Sequence, residues 1–230
     1  MTDVAINWER VCRAVAHAAE GAGRDPCSVR IIAVSKTQPA ERITQVLAAG
    51  ARDIGENYVQ EAAEKVRSIS GSVSWHMIGH LQRNKAARAL ELFDTIHTLD
   101  GVALGAALAR QAERRGRRAR VLIEVNIAGE RTKSGVSPDA VRDLLTALAH
   151  ESWLQIDGLM TVPPQGPSAE AARPFFRALR DLCVRLRADA PANAPLRELS
   201  MGMTDDYTVA IEEGATMVRI GRAIFGERPS

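Results

Sequence analysis

The sequence predicts an α/β protein, a closed (β/α)8 barrel, and three observations carry that reading. Apolar residues switch repeatedly between helical and strand spacing along the chain. Eight strand-like segments alternate with helical ones, and strict alternation demands a parallel sheet with helical crossovers. The 230 residues fall just below the ~250 typical of such a barrel. A doubly wound open sheet is the rival. The turn after the first strand, Ser35-Lys36-Thr37-Gln38-Pro39, lacks the glycines that rival favours.

Trp8, Val11, Cys12, Val15 and Ala18 follow helical spacing and Gly21 ends the segment. Ile31-Ile32-Ala33-Val34 is a continuous apolar run, a strand buried on both faces. Ile43, Val46 and Leu47 are helical up to Gly50, followed by the short strand Asp53-Ile54-Gly55. Val59, Ala62, Ala63 and Val66 form the next helical stripe, and Trp75 to Gly79 the third strand. A helix over 82–92 leads to the strand Thr95 to Leu99, and an Ala-rich helix over 102–115 to the clearest β run, Val121 to Val125. Ser137-Pro138 starts a helix with Val141, Leu144, Leu145 and Leu148 on one face. The strand Leu154 to Met160 is followed by a helix through Phe175, Leu179, Leu182, Cys183 and Leu186. Glu198-Leu199-Ser200 is strand seven, Thr204-Asp205-Asp206 caps a helix containing Ala210 and Ile211, and Thr216 to Ile220 is strand eight. No linker or repeat divides the chain, so residues 1–230 read as one domain.

Composition excludes several classes. With 25% charged residues the chain is neither disordered nor fibrous, and no run approaches the ~18 apolar residues of a membrane span. Cys12, Cys27 and Cys183 are too few and scattered for a disulfide framework or a zinc knuckle, which places the protein in a reducing, cytoplasmic compartment. A net charge of +2 is far from a nucleic-acid binder's footprint. Six arginines between 110 and 120 read as a solvated helix end, because no aromatic residues are interleaved for base stacking.

In such a barrel, function gathers at the carboxyl ends of the strands. Lys36, Glu56, Asn57, His80, Asn126, Thr161, Ser200, Met201, Gly221 and Arg222 all fall there. Carried into the mouth by a buried strand, the Lys36 amine would be desolvated, its pKa lowered, and open to Schiff-base chemistry with an aldehyde. Opposite it, Ser200-Met201-Gly202 and Gly221-Arg222 suit an anion, since barrels often bind phosphate after strands seven and eight. Pyridoxal phosphate carries both an aldehyde and a phosphate. His76 and His80 stand four residues apart, but the strand between them argues against metal binding. Glu124 is expected to pair with an arginine, and Met160, Met201 and Met203 to pack around an apolar ring.

Ala-Val-Ser-Lys-Thr at 33–37, Gly-Glu-Asn-Tyr-Val-Gln-Glu at 55–61 and Trp-His-Met-Ile-Gly-His-Leu-Gln at 75–82 are more specific. Gly-Leu-Met-Thr at 158–161, Leu-Ser-Met-Gly-Met at 199–203 and Val-Arg-Ile-Gly-Arg-Ala-Ile-Phe-Gly at 218–226 complete the set. Together with residues 126–135, in the same order and spacing over nearly the whole chain, they resemble the pyridoxal phosphate homeostasis protein family. The resemblance implies a TIM barrel similar to the N-terminal domain of alanine racemase, of the fold-type III kind, without that enzyme's C-terminal β domain. It also implies cofactor-binding roles: Lys36 in a Schiff base, Asn57 beside the cofactor, Ser200, Met201, Gly221 and Arg222 at the phosphate, and Arg219 facing the pyridine nitrogen. Position 222 departs from the family, which usually has a small or hydroxylated residue there.

Two functions follow as expectations. The first is a non-catalytic carrier that buffers or delivers pyridoxal phosphate in vitamin B6 homeostasis. The second is an amino-acid racemase, which needs an acid/base group on each cofactor face. Alanine racemase supplies one from a tyrosine of its β domain, and here only Tyr58 and Tyr207 exist. The expected partners are pyridoxal phosphate and apoenzymes that use it, with no nucleic acid and no membrane, and the expected state is a monomer. A third reading is a cofactor-free barrel enzyme acting on a phosphorylated sugar or indole.

Overall fold

Eight parallel strands hydrogen-bond in chain order, and the last returns to the first, so the sheet has no edge. They are β1 (Arg30–Val34), β2 (Asp53–Glu56), β3 (Ser74–Met77), β4 (Thr95–Leu99), β5 (Ala119–Glu124), β6 (Leu154–Met160), β7 (Glu198–Ser200) and β8 (Met217–Ile220). The structure is a computed structural model that describes residues 2–130 and 132–227. Each strand lies where the apolar pattern predicts one. β8 pairs with β1 from Arg30↔Met217 to Ala33↔Ile220, and this ladder closes the barrel.

The helices form the outer ring: α1 (Asp3–Gly21), α2 (Ala40–Ala48), α3 (Val59–Ser68), α4 (Ala86–Leu92), α5 (Val102–Arg114), α6 (Val141–Ala147), α7 (Arg173–Arg187), α8 (Tyr207–Glu212) and α9 (Arg222–Phe225). α1 starts where the Thr2 hydroxyl accepts from the Ala5 N–H, and it buries Val4, Trp8, Val11 and Val15 against α8 and α9. The helix predicted over 82–92 starts later than expected. Leu81, 2% exposed, is drawn into the core, Gln82 stays extended, and a 3-10 turn over Arg83–Lys85 precedes α4. The arginines after α5 make a solvated helix end, as expected. Gly116 adopts φ 61°, Arg115 pairs with Glu91 at 2.9 Å and Arg120 with Asp157 at 2.7 Å.

Most of the core lies between strands and helices, where each fully buried Val, Leu or Ile stabilises by about 1.5–3 kcal/mol. The barrel's interior is different. Its apolar part is small, Ile32, Leu122, Met160 and Met217, and much of the rest is polar: His76, His97, Ser200 and Arg219 are all buried. Among the described residues no helix is long and apolar enough to cross a membrane, and no cluster of three metal-ligating side chains forms. The three cysteines are free.

Gly158 sets how closely β6 approaches β7. A Cβ there would stand 1.8 Å from the Glu198 carbonyl oxygen and 2.6 Å from its carbon, both backbone atoms. Gly158→Ala therefore has to force the two strands apart. We expect it to cost about 4 kcal/mol and to lower the midpoint of thermal unfolding by roughly 8–16 °C, read by circular dichroism.

Candidate functional site

Lys36 stands two residues beyond β1, half-buried, in a turn where Thr37 takes a left-handed φ of 65°. A β-branched residue is strained there, so the neighbours must hold it. They do so from α3. The Thr37 N–H donates to Glu61 Oε1 at 2.5 Å, and Lys65 Nζ donates to Glu61 Oε1 and to Glu56 Oε1, each at 2.6 Å. Lys65 Nζ also reaches the Ser35 carbonyl at 2.7 Å, and Ser35 Oγ donates to Glu56 Oε1 at 2.5 Å. Glu56 is fully buried. Burial pushes its carboxyl up, while Lys65 and Ser35 pull against that shift. Sequence reasoning missed this clamp, because Glu61 and Lys65 four apart on a helix read as an ordinary surface pair.

A cavity of about 370 Å3 opens at the carboxyl ends of the strands. Lys36, Asn57, Arg219, Gly221 and Arg222 line it together, though they come from four different loops or strands. Val34, Ile78, Val162, Met203 and Phe225 supply its apolar wall. Asn57 is held by close backbone packing, since a Cβ on Gly79 would lie 2.4 Å from its carbonyl oxygen. Gly221 brings the chain near β1, less closely, where an added Cβ would stand 3.3 Å from the Val34 carbonyl oxygen. Just beyond it the first turn of α9 leaves N–H groups without intrahelical partners.

Arg219 forms the floor. It is only 4% exposed, and Nη1 donates to Ser200 Oγ at 2.7 Å while Nη2 donates to the Thr161 carbonyl at 2.9 Å. Burial lowers the guanidinium to about 10, with Asp206 and Glu124 pulling it back up, so it remains a cation at neutral pH. Ser200 and Met201 sit behind the lining rather than in it. Both are fully buried, the Ser200 hydroxyl is engaged by Arg219 and His97, and the Met201 N–H donates to the Met217 carbonyl. Met203, Thr204 and Asp205 line the cavity in their place. Arg222 turns its guanidinium to Asp205 across the mouth, with Glu227 3.8 Å away.

The two histidines four apart diverge. His76 is buried inside the barrel, whereas His80 is exposed and pairs with Asp100 at 3.2 Å. Glu124 departs from expectation. Among the described residues no arginine pairs with it, and its Oε2 is buried without a hydrogen-bond partner. Neither tyrosine lines the cavity: Tyr58 is 60% exposed, and Tyr207 packs half-buried on α8.

The alanine racemase N-terminal domain family matches over residues 7–229. Curated proteins named pyridoxal phosphate homeostasis protein align over almost the full length. The one from Pseudomonas aeruginosa is 39% identical over 99% of this chain and 97% of its own, and the one from Aquifex aeolicus 40% identical over 95% and 96%. The chain belongs to the pyridoxal phosphate homeostasis protein family. Among solved structures, PipY of Synechococcus elongatus with pyridoxal phosphate bound superposes with a TM-score of 0.82 at 39% identity, over 92% of this chain and all of that one. Alanine racemase of Corynebacterium glutamicum shares the fold alone, with a TM-score of 0.69 at 20% identity over 99% of this chain and 62% of the enzyme.

Two substitutions test the electrostatics with opposite signs. Lys65→Met leaves buried Glu56 without its cation and is expected to cost about 3 kcal/mol, a fall of roughly 6–12 °C in the unfolding midpoint. Glu124→Met removes an unpartnered buried oxygen and is expected to stabilise by about 1 kcal/mol at pH 7. Burial, and then Asp100, raise the Glu124 carboxyl above its ordinary 4.5. The cost of its charge is therefore present above that raised value and absent once both states are protonated. The gain should shrink towards pH 4, measured by thermal melts across that range.

Proposed function

We propose that this chain binds pyridoxal 5'-phosphate in the mouth cavity, with Lys36 as its covalent anchor, and serves as a carrier in pyridoxal phosphate homeostasis. The observation that carries the proposal is one cavity lined at once by a half-buried primary amine, an apolar wall, a buried guanidinium and the glycine that opens a helix. That donor set fits a small aldehyde bearing an aromatic ring and a phosphate, and about 370 Å3 is in the range of such ligand sites. The names of the relatives and the bound pyridoxal phosphate of PipY support the same reading.

When bound, pyridoxal phosphate supplies an aldehyde that condenses with a primary amine and a ring that accepts electrons. The protein's own groups divide the remaining work. Gly221 and Arg222 offer backbone N–H groups to the phosphate, and Asn57 lines the approach to Lys36. Ser200 and Met201 are buried beside β8, bonded to Arg219 and to the Met217 carbonyl. Arg219 has donors only, so it cannot take a proton from a pyridine nitrogen placed against it. The ring would stay neutral and be a weaker electron sink, which discourages carbanion chemistry.

The same geometry favours a carrier over a racemase. Racemisation needs a proton-transfer group on each face of the cofactor. Lys36 supplies one, neither tyrosine lines the cavity, and the Asp205 carboxylate there is tied to Arg222.

Purified protein incubated with pyridoxal phosphate is expected to show a visible absorption band that borohydride abolishes, with the added mass on the peptide containing Lys36. Lys36→Ala should lose both signals. With a panel of L- and D-amino acids read by chiral chromatography, no enzyme-like turnover is expected. Racemisation that disappears in Lys36→Ala would overturn the carrier reading.

A further inference from the structure

A chain of buried polar groups runs along the inside of the barrel, and the function above uses only its upper end. Arg219 Nη1 meets Ser200 Oγ at 2.7 Å, and Ser200 Oγ meets His97 Nδ1 at 2.9 Å. His97 Nε2 meets His76 Nδ1 at 2.9 Å, and His76 Nε2 meets Asp53 Oδ1 at 2.9 Å. His97 and Ser200 are fully buried and His76 is 1% exposed. Asp53, at the start of β2 and at the far end of the barrel, is the member that reaches solvent, with its side chain 18% exposed.

The direction of every bond follows from the two ends. A guanidinium only donates and an ionised carboxylate only accepts. Asp53 therefore accepts from His76 Nε2–H, and when that ring is neutral its Nδ1 is an acceptor. His97 must then donate from Nε2 and accept at Nδ1, so the Ser200 hydroxyl donates to it and its oxygen accepts from Arg219. All four bonds point away from the cavity. A proton added to either imidazole would leave the Ser200 hydroxyl hydrogen without an acceptor in the chain.

The surrounding charges agree with a neutral His97 ring. Burial, then His76, Arg219 on β8 and Arg30 on β1, hold His97 well below the usual histidine range. Arg30 is shared between Asp53 at 3.9 Å and Glu198 on β7 at 3.7 Å, while Asp206 and Glu124 face Arg219.

We propose that Asp53, His76 and His97 are positioning residues for the mouth cavity: their one-way hydrogen-bond chain fixes Ser200 as an acceptor and so orients the Arg219 guanidinium towards the ligand. The ligand half of this inference rests on the pyridoxal phosphate reading; the proton order of the chain does not.

The test has two arms. In the ligand-free protein, two-bond proton–nitrogen NMR of the imidazoles should show His76 and His97 as Nε2–H tautomers at pH 7, with His97 unchanged between about pH 5.5 and 8. An Nδ1–H tautomer at either ring, or titration of His97 in that window, overturns the proposal. In the second arm, Asp53→Asn replaces the anchor with a group that both donates and accepts. It should mix the tautomers, weaken pyridoxal phosphate binding about fivefold and shift the absorption band, with circular dichroism unchanged. A folded Asp53→Asn with wild-type affinity and band refutes the positioning role. A wild-type protein with the stated tautomers that binds no pyridoxal phosphate refutes the ligand half together with the functional reading.

Discussion

The parallel ladder between β8 and β1 is the contact on which the candidate site depends. Lys36 follows β1 and Gly221 follows β8, so the two lie at opposite ends of the sequence and meet only when Ile31 pairs with Val218 and Ala33 with Ile220. An open sheet with the same strands would leave them at opposite edges, some seven strand spacings of about 4.8 Å apart. Closure also removes the sheet's edges, so every strand is paired on both sides and the interior is shielded from water. The cavity is thus a product of the ladder rather than of any one loop.

That shielded interior is unusual in being half polar. Four apolar side chains fill only part of it, and a guanidinium, two imidazoles and a hydroxyl occupy much of the rest. Buried polar groups cost stability unless each is hydrogen-bonded, and a buried charge costs more. Here each group has a partner at 2.7–2.9 Å, and the cationic end at Arg219 is balanced by a carboxylate at Asp53. The arrangement holds a cation under the mouth, hydrogen-bonded to a hydroxyl and a backbone carbonyl, with Asp206 and Glu124 as the carboxylates that face it. Below β1 the same principle recurs, where buried Glu56 is matched by Lys65.

The barrel shared with alanine racemase shows how little the scaffold itself decides. At 20% identity only the architecture is common, and chemistry has to be argued from the groups at the mouth. In this chain those groups are one amine, donors for an anion and a cation that cannot accept a proton. In the proposed function these groups would hold and orient a ring, and they offer few ways to move protons on both sides of it. Arg222 adds a feature of this chain, since its pairing with Asp205 places an ion pair over one side of the opening.

Strand order, barrel class and the residues of the mouth were legible in the chain, because period-2 and period-3.6 apolar patterns are local and because strand ends in a barrel all face one way. Lys36, Asn57, Arg219, Gly221 and Arg222 could be named from their places after or within those strands. What stayed hidden depends on which side of a strand faces inward and on what meets it there. Ser200 was expected at a phosphate, and the structure adds that its hydroxyl links Arg219 to His97. The sequence argued against a metal site at His76 but did not show its partners, Asp53 and His97, which lie 23 and 21 residues away. Glu124 was expected to pair with an arginine and has none among the described residues, while Lys65 lies buried beneath the Lys36 turn. These outcomes were decided by side-chain contacts between different elements, and the His97–Ser200 bond, which joins β4 to β7 across the interior, exists only because the barrel closes.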